Sequence, residues 1–250
     1  MKNKQKAALR LLAALLALTL LAPLGLTASA ADGPDTIYID SASDFVSFAK
    51  SCALDTWSAG KTVILRADIS LAGMDYTPVA AFGGTFDGGG HTISDLNLTG
   101  SYSPAGLFAV ILSGGSVEDL NVAGSVAAAG DKIVAGGIAG ENLGRIQNCA
   151  VGSDGAAVTL TTRSRTAAGA VCAVNHKGGT VSGAEIGDRV TISGSAFLLG
   201  ALVGDNSGTV ADAEVAQQPE YDVSASALQV GGAVGINRPG GTVRSVRVTS

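Results

Sequence analysis

The sequence predicts an all-β chain wound as a parallel β-helix. Three observations carry this. A glycine-rich unit, VAGGIAGENLGRIQNCAV at 134–151, recurs in degraded form at 167–186, 198–215 and 230–248, with a weaker copy at 104–122. Its marker asparagines Asn142, Asn175, Asn206 and Asn237 fall 33, 31 and 31 residues apart. That period marks a solenoid of one supersecondary unit per coil. Three columns are apolar in all six aligned rows. They are Ile93, Val117, Ile146, Val181, Val210, Val243; then Leu96, Leu120, Cys149, Ala184, Ala213, Val246; then Leu98, Val122, Val151, Ile186, Val215, Val248. The last two alternate across one residue, the period of a strand with one buried face.

The elements follow in order. Residues 1–30 read as a cleaved targeting segment. Lys2, Lys4, Lys6 and Arg10 precede an apolar run from Leu11 to Leu26, and Ala28-Ser29-Ala30 places the cut after Ala30. Residues 31–60 read as a short leader, a strand at 36–39 and one helix. Ser43 is its expected cap, and Phe45, Phe48, Ala49, Cys52 and Ala53 form its apolar stripe. This helix is expected to plug the stack, hiding the open backbone edge and apolar layer of the first coil. Residues 61–250 read as the β-helix, beginning with strands at 62–65 and 68–71. Gly83 to Ile93 (GGTFDGGGHTI) is a tight turn between strands; it lacks the Lys-Ser/Thr and following helix of a phosphate cradle. His91 and His176 are turn residues on this reading.

Each coil is expected to hold about three short strands, stacked in parallel at ~4.8 Å. Like residues then pile up. The marker asparagines become a ladder of amides, Asn142 to Asn237, as in other stacked-strand arrangements, with glycine beside them at sharp corners. Two polar columns are expected to face outward: Asp95, Asp119, Asn148, Gly183, Asp212, Ser245, and Asn97, Asn121, Ala150, Glu185, Glu214, Arg247. Within them, Asp95, Asp119, Asp212, Glu185 and Glu214 form a candidate acidic surface ridge.

Composition bounds the function. Glycine numbers 35 in 250 residues, about twice the ordinary ~7% share. Aromatic residues are 4% and apolar residues 46%, which suits thin regular layers of Val, Ile, Leu and Ala. Without residues 1–30, 12 basic stand against 21 acidic residues, a formal charge of −9. This argues against nucleic acid and anionic membranes as partners. No later stretch has the length of a membrane-spanning helix. Cys52, Cys149 and Cys172 are an odd count without paired spacing, and read as buried apolar residues. No cofactor and no catalytic or metal-binding residues are expected. Ser250 follows directly on the strand at 243–248, so the last coil is expected to lack a cap. Arg238, Arg244 and Arg247 stand there as charged gatekeepers, and the end is expected either to pair or to continue into a longer protein.

The repeats resemble the GLUG-repeat family of bacterial exported and surface proteins. Ala135 to Asn142 (AGGIAGEN) with Gly144 and Ile146, Gly200 to Gly208 (GALVGDNSG) with Val210, and Gly231 to Asn237 (GGAVGIN) carry the resemblance. The run Gly84 to Ile93 is similar to the segment that precedes such repeats. The resemblance covers about 60–250. It implies a right-handed parallel β-helix, often a stalk-like part of larger surface proteins, with no catalytic residues in the repeats. Some relatives are immunoglobulin-cleaving metallopeptidases. That activity does not transfer, because the chain has no H-E-x-x-H. The expected function is therefore a secreted or cell-surface, non-enzymatic module for adhesion, binding or spacing. Its partner would be a cell-wall or host glycan, a protein, or other domains of a longer surface protein. Two alternatives stand beside it. One is a carbohydrate-active β-helix enzyme using Asp95, Asp119 and Asp212 as paired carboxylates; the other is a unit that self-associates through its last coil.

Overall fold

A computed structural model describes residues 35–54, 56–128, 134–152, 158–162, 167–194, 198–216, 219–223 and 229–249. The expected targeting segment 1–30 and residues 31–34 lie outside the described residues. Every strand pairing among the described residues is parallel, and the fold is a parallel β-helix. Three sheets run along it. One holds Val79–Phe82, Phe108–Ile111, Ala139–Asn142, Cys172–Asn175, Val203–Asn206 and Val234–Asn237. A second holds Ala135–Gly136, Ala167–Gly169, Leu198–Gly200 and Gln229–Gly231. The third is the longest. It starts with Thr36–Ile39, Thr62–Leu65, Thr85–Asp87 and Ser116–Glu118, and continues through Arg145–Gln147 and Thr180–Ser182 to Thr209–Val215 and Thr242–Val248. It then bends within each coil and carries on as further short strands.

The interior is built of the stacked apolar columns, whose last members Val243 and Val248 are exposed on the final described coil. Phe86, Val117, Ile146, Val181, Val210 and Val243 are successive register partners. Val122, Val151, Ile186, Val215 and Val248 form another column in the same way. Leu120, Cys149, Ala184 and Ala213 are all buried between them.

The first row departs from the expected register. Ile93 stacks on Val122, Leu96 on Gly124 and Leu98 on Val126. Phe86, not Ile93, occupies the place below Val117. The cause is the Gly88–Gly90 turn, which takes the corner beneath Asp119; Gly88 N–H donates to Glu118 O at 2.8 Å and Gly90 N–H to Asp119 O at 2.7 Å. The chain that follows is thereby displaced to the next segment of the coil. ISDLNL at 93–98 and VEDLNV at 117–122 share one local conformation, with Asp95 and Asp119 at φ 56 and 51. They use it at different corners, so local likeness misassigns the row.

The single helix, α1, spans Ala42–Ser51. Its cap is Ser41, not the expected Ser43. Ser41 Oγ accepts from Asp44 N–H at 3.3 Å and donates to Asp44 Oδ2 at 2.7 Å. Asp44 Oδ2 also accepts from the Asp40 N–H at 3.2 Å, a variant of the capping box shifted one residue back, and the pairing fixes the start two residues early. Phe45, Phe48, Ala49 and Cys52 are buried as the stripe requires, while Ala53 lies past the helix end and is exposed. Phe48 packs 5.8 Å from both Phe82 and Phe86, and Phe108 lies 5.3 and 5.5 Å from those two rings. Such ring pairs contribute about 0.5–1.5 kcal/mol each beyond simple burial.

Candidate functional site: a polar groove along the stack

The predicted polar columns converge on one side of the molecule. Asp119, Asn148, Gly183, Asp212 and Ser245 all adopt left-handed backbone, with φ between 51 and 61. Asn and Asp tolerate that region better than other side chains, which explains the composition of the column. The bend sets it beside Asn121, Ala150, Glu185, Glu214 and Arg247, which are stacked in register. Together they enclose an open groove of about 590 Å³, lined by Asn148, Glu185, Asp212, Glu214, Ser245 and Arg247. The expected ridge is thus concave. Ala150, expected to face solvent, is buried in its floor.

The five acids do not act together. Glu185 and Glu214 are register partners on adjacent coils, hence ~4.8 Å apart along the axis. Asp212 also lines the groove and pairs with Arg244 at 3.4 Å. Asp119 stands three coils before Asp212 in its column, about 14 Å away at that spacing. Asp95 lies outside the column because of the register shift, and its Oδ2 accepts from Ser70 Oγ at 2.6 Å and Ser94 Oγ at 3.1 Å. Asp95, Asp119 and Asp212 therefore cannot serve as paired carboxylates. What the groove offers is a row of hydrogen-bond acceptors with amide and guanidinium donors. Among the described residues, no three His, Cys, Asp or Glu side chains cluster as metal ligands.

The marker asparagines Asn142, Asn175 and Asn206 lie inside, while Asn237 in the last described coil is exposed. Asn142 Nδ2 donates to Asn175 Oδ1 at 2.9 Å, Asn175 Nδ2 to Asn206 Oδ1 at 2.8 Å, and Asn206 Nδ2 to Asn237 Oδ1 at 2.7 Å. The ladder has a direction: each amide gives its N–H to the following coil. Its column continues backward as Ile111 and Phe82.

The cysteines are packed inside and the histidines pair across coils. The three cysteines are free and buried. Burial pushes the Cys52 and Cys149 thiols up to about 12, and raises Cys172 as well. Cys149 Sγ donates to Gln147 O at 3.2 Å beside the bend. Each histidine meets a carboxylate of the preceding coil, His91 Nδ1 with Asp68 at 3.1 Å and His176 Nε2 with Glu141 at 2.9 Å. Sequence reasoning missed one surface cluster. Arg66 pairs bidentately with Asp40 and lies 4.2 Å from the Tyr38 ring. Asp40 and Arg66 each follow the paired strand ends Ile39 and Leu65, so the register alone would have found them.

No family model matches the chain, and no curated protein is similar to it. Among solved structures, the crystal structure of a candidate immunoglobulin A1 protease from Bacteroides ovatus is similar over 85% of this chain and 84% of that one, at 14% identity and a TM-score of 0.48. At that distance the likeness carries nothing about activity. Among the described residues, no helix is long and apolar enough to cross a membrane.

Proposed function

We propose that this protein is an exported, non-enzymatic β-helix module of the bacterial cell surface, akin to the GLUG-repeat proteins it resembles. It presents a recognition surface and spaces whatever is attached to it. The observation that carries this reading is a division of labour between positions. The three columns that pass through Val117, Leu120 and Val122 stay apolar from coil to coil, while the groove column changes from Asn121 through Ala150, Glu185 and Glu214 to Arg247. A fixed spine with an exchangeable exterior is how solenoids make extended binding surfaces. The leader with its cut after Ala30 supports export.

The test is fractionation of the producing bacterium with protease added to intact cells. A chain beginning at Ala31 and lost from intact cells is the expected result; an intact chain beginning at Met1 in the cytoplasm overturns the reading. One observation favours a carbohydrate-cleaving alternative, the adjacent Glu185 and Glu214 over the groove. Release of reducing ends from a polysaccharide, abolished by Glu185→Gln, would establish that alternative instead.

A further inference from the structure

A second concavity lies where the coils are irregular. The pairing of Thr92–Gly100 with Asn121–Ala128 shifts between Ile93 and Leu96, forming a bulge. Leu96 then sits on Gly124, whose φ of 132 and missing Cβ allow that approach; a Cβ there would collide with the Leu96 backbone. The bulge buries Leu96 and leaves Asp95 and Asn97 exposed on either side of it. The stretch 71–76 forms the facing wall. Its Tyr76 is buried, and the phenol oxygen accepts the Asn97 N–H, tying this wall to the bulge. Between them is an open pocket of about 730 Å³, within the range that holds small ligands.

The lining chemistry is specific. Half-buried Met74 and exposed Ala72 supply apolar surface over the buried Leu71 and Leu96, and Asp75, Asp95, Asn97, Ser125 and Thr159 supply polar groups. The Ser70 and Ser94 hydroxyls fix one oxygen of Asp95, which orients the carboxylate before any ligand arrives. Two carboxylates, one amide and two hydroxyls favour a ligand rich in hydroxyl or amine donors. The apolar strip suits the carbon face of a pyranose ring. Among the described residues no lysine or arginine lines the pocket, so an acidic ligand would meet two carboxylates there with no compensating cation among them.

The geometry points to this pocket as a binding site for a short, non-acidic saccharide. Neutral and amino sugars are accepted and uronic acids rejected. Asp75 and Asp95 accept the sugar hydroxyls or ammonium, and Met74 packs against the ring. This goes beyond the surface-module reading and stands apart from the groove. A cytoplasmic chain that still binds saccharide would sink the surface reading and leave the pocket intact.

Met74 provides a direct reporter, because Met1 is the other methionine of the chain. The protein is labelled with ¹³C at its methionine methyls, and Met74→Leu assigns the signal. It is titrated separately with tetramers of N-acetylglucosamine, glucosamine and galacturonate. The Met74 methyl is expected to shift saturably with the first two and not with the third. Asp75→Asn combined with Asp95→Asn should weaken glucosamine binding at least tenfold. These changes keep side-chain shape, and asparagine tolerates the left-handed backbone at 95. Glu185→Gln with Glu214→Gln should change nothing. A Met74 methyl unmoved by all three sugars, an equal response to galacturonate, or full binding by the Asp75/Asp95 variant overturns the assignment.

Discussion

The two ends of this solenoid solve one packing problem with different chemistry. The interior column that begins as Phe82 and Ile111 becomes Asn142, Asn175 and Asn206 and runs out at the exposed Asn237. The early coils fill the position with hydrocarbon and lean on α1 and a cluster of phenylalanines. The later coils fill it with amides that bond along the axis. Aromatic filling secures the coils by area and shape, which is non-directional. The amide ladder secures register, because a one-coil mismatch would leave buried donors without acceptors. Position in the stack alone therefore does not dictate the residue.

The sharpest way to break the comparison is to damage each region separately. Phe108→Ala removes a fully buried ring touching Phe82 and Phe86. We expect it to cost about 3–5 kcal/mol, read by denaturant unfolding through the fluorescence of Trp57, the sole tryptophan, 6.4 Å from Phe48. Asn175→Ala should cost about 1–3 kcal/mol, the penalty for unpaired buried polar groups. It deprives Asn142 Nδ2 and Asn206 Oδ1 of a partner each. Hydrogen exchange should quicken in 139–142 and 203–206 while the Trp57 transition stays in place. A shift of that transition equal to the one caused by Phe108→Ala would show that the stack unfolds as one unit and that the two regions are not distinct.

The boundary can be moved as a finer test. Ile111→Asn places an amide below Asn142, whose Oδ1 now accepts from Gly144 N–H at 3.1 Å. Because ladder amides donate toward the following coil, the new side chain can hand its N–H to that oxygen. Ile111→Asn is expected to cost less than Ile111→Ala, which leaves a cavity worth about 2–5 kcal/mol. If asparagine proves worse than alanine in thermal or denaturant unfolding, the boundary is fixed by packing against Phe82 and the ladder cannot grow backward.

The same contrast explains what the sequence disclosed. From Val117 onward the inward columns could be read directly, because every coil repeats the same apolar positions. The first row could not, because the Gly88–Gly90 turn substitutes for a corner and moves Ile93 to another column. The polar columns were legible as outward-facing, but their concavity was not. It depends on the left-handed bend at Asp119, Asn148, Gly183, Asp212 and Ser245. In hindsight a column restricted to Asp, Asn, Gly and Ser is the signal for that backbone. The pocket beside Asp95 had no sequence signal, since it exists only through the register shift and the facing stretch 71–76.

The smallest expected effect is a pH dependence of the early coils. Arg66 holds the Asp40 carboxyl below its usual range, first by hydrogen bonding and then by charge. The Thr92 N–H, and after it the His91 side chain, do the same for Asp68. Both pairs bridge successive coils, Asp40 to Arg66 and Asp68 to His91. A depressed folded-state pKa contributes stability above the unfolded value of about 3.9, and that contribution is lost as pH falls through the folded value. Both carboxylates are exposed, so the effect is small. Unfolding monitored at Trp57 should soften between neutral pH and pH 3, and Asp40→Asn with Asp68→Asn should flatten that slope. Exchange rates corrected for intrinsic pH dependence should change less around the Asn175 and Asn206 rungs, where amides that do not titrate stand beside the His176–Glu141 and Arg238–Asp205 pairs. An equal acid response in both regions would mean that Glu141 and Asp205, beside the rungs, hold the ladder coils together and that the directional amides contribute less than their geometry suggests.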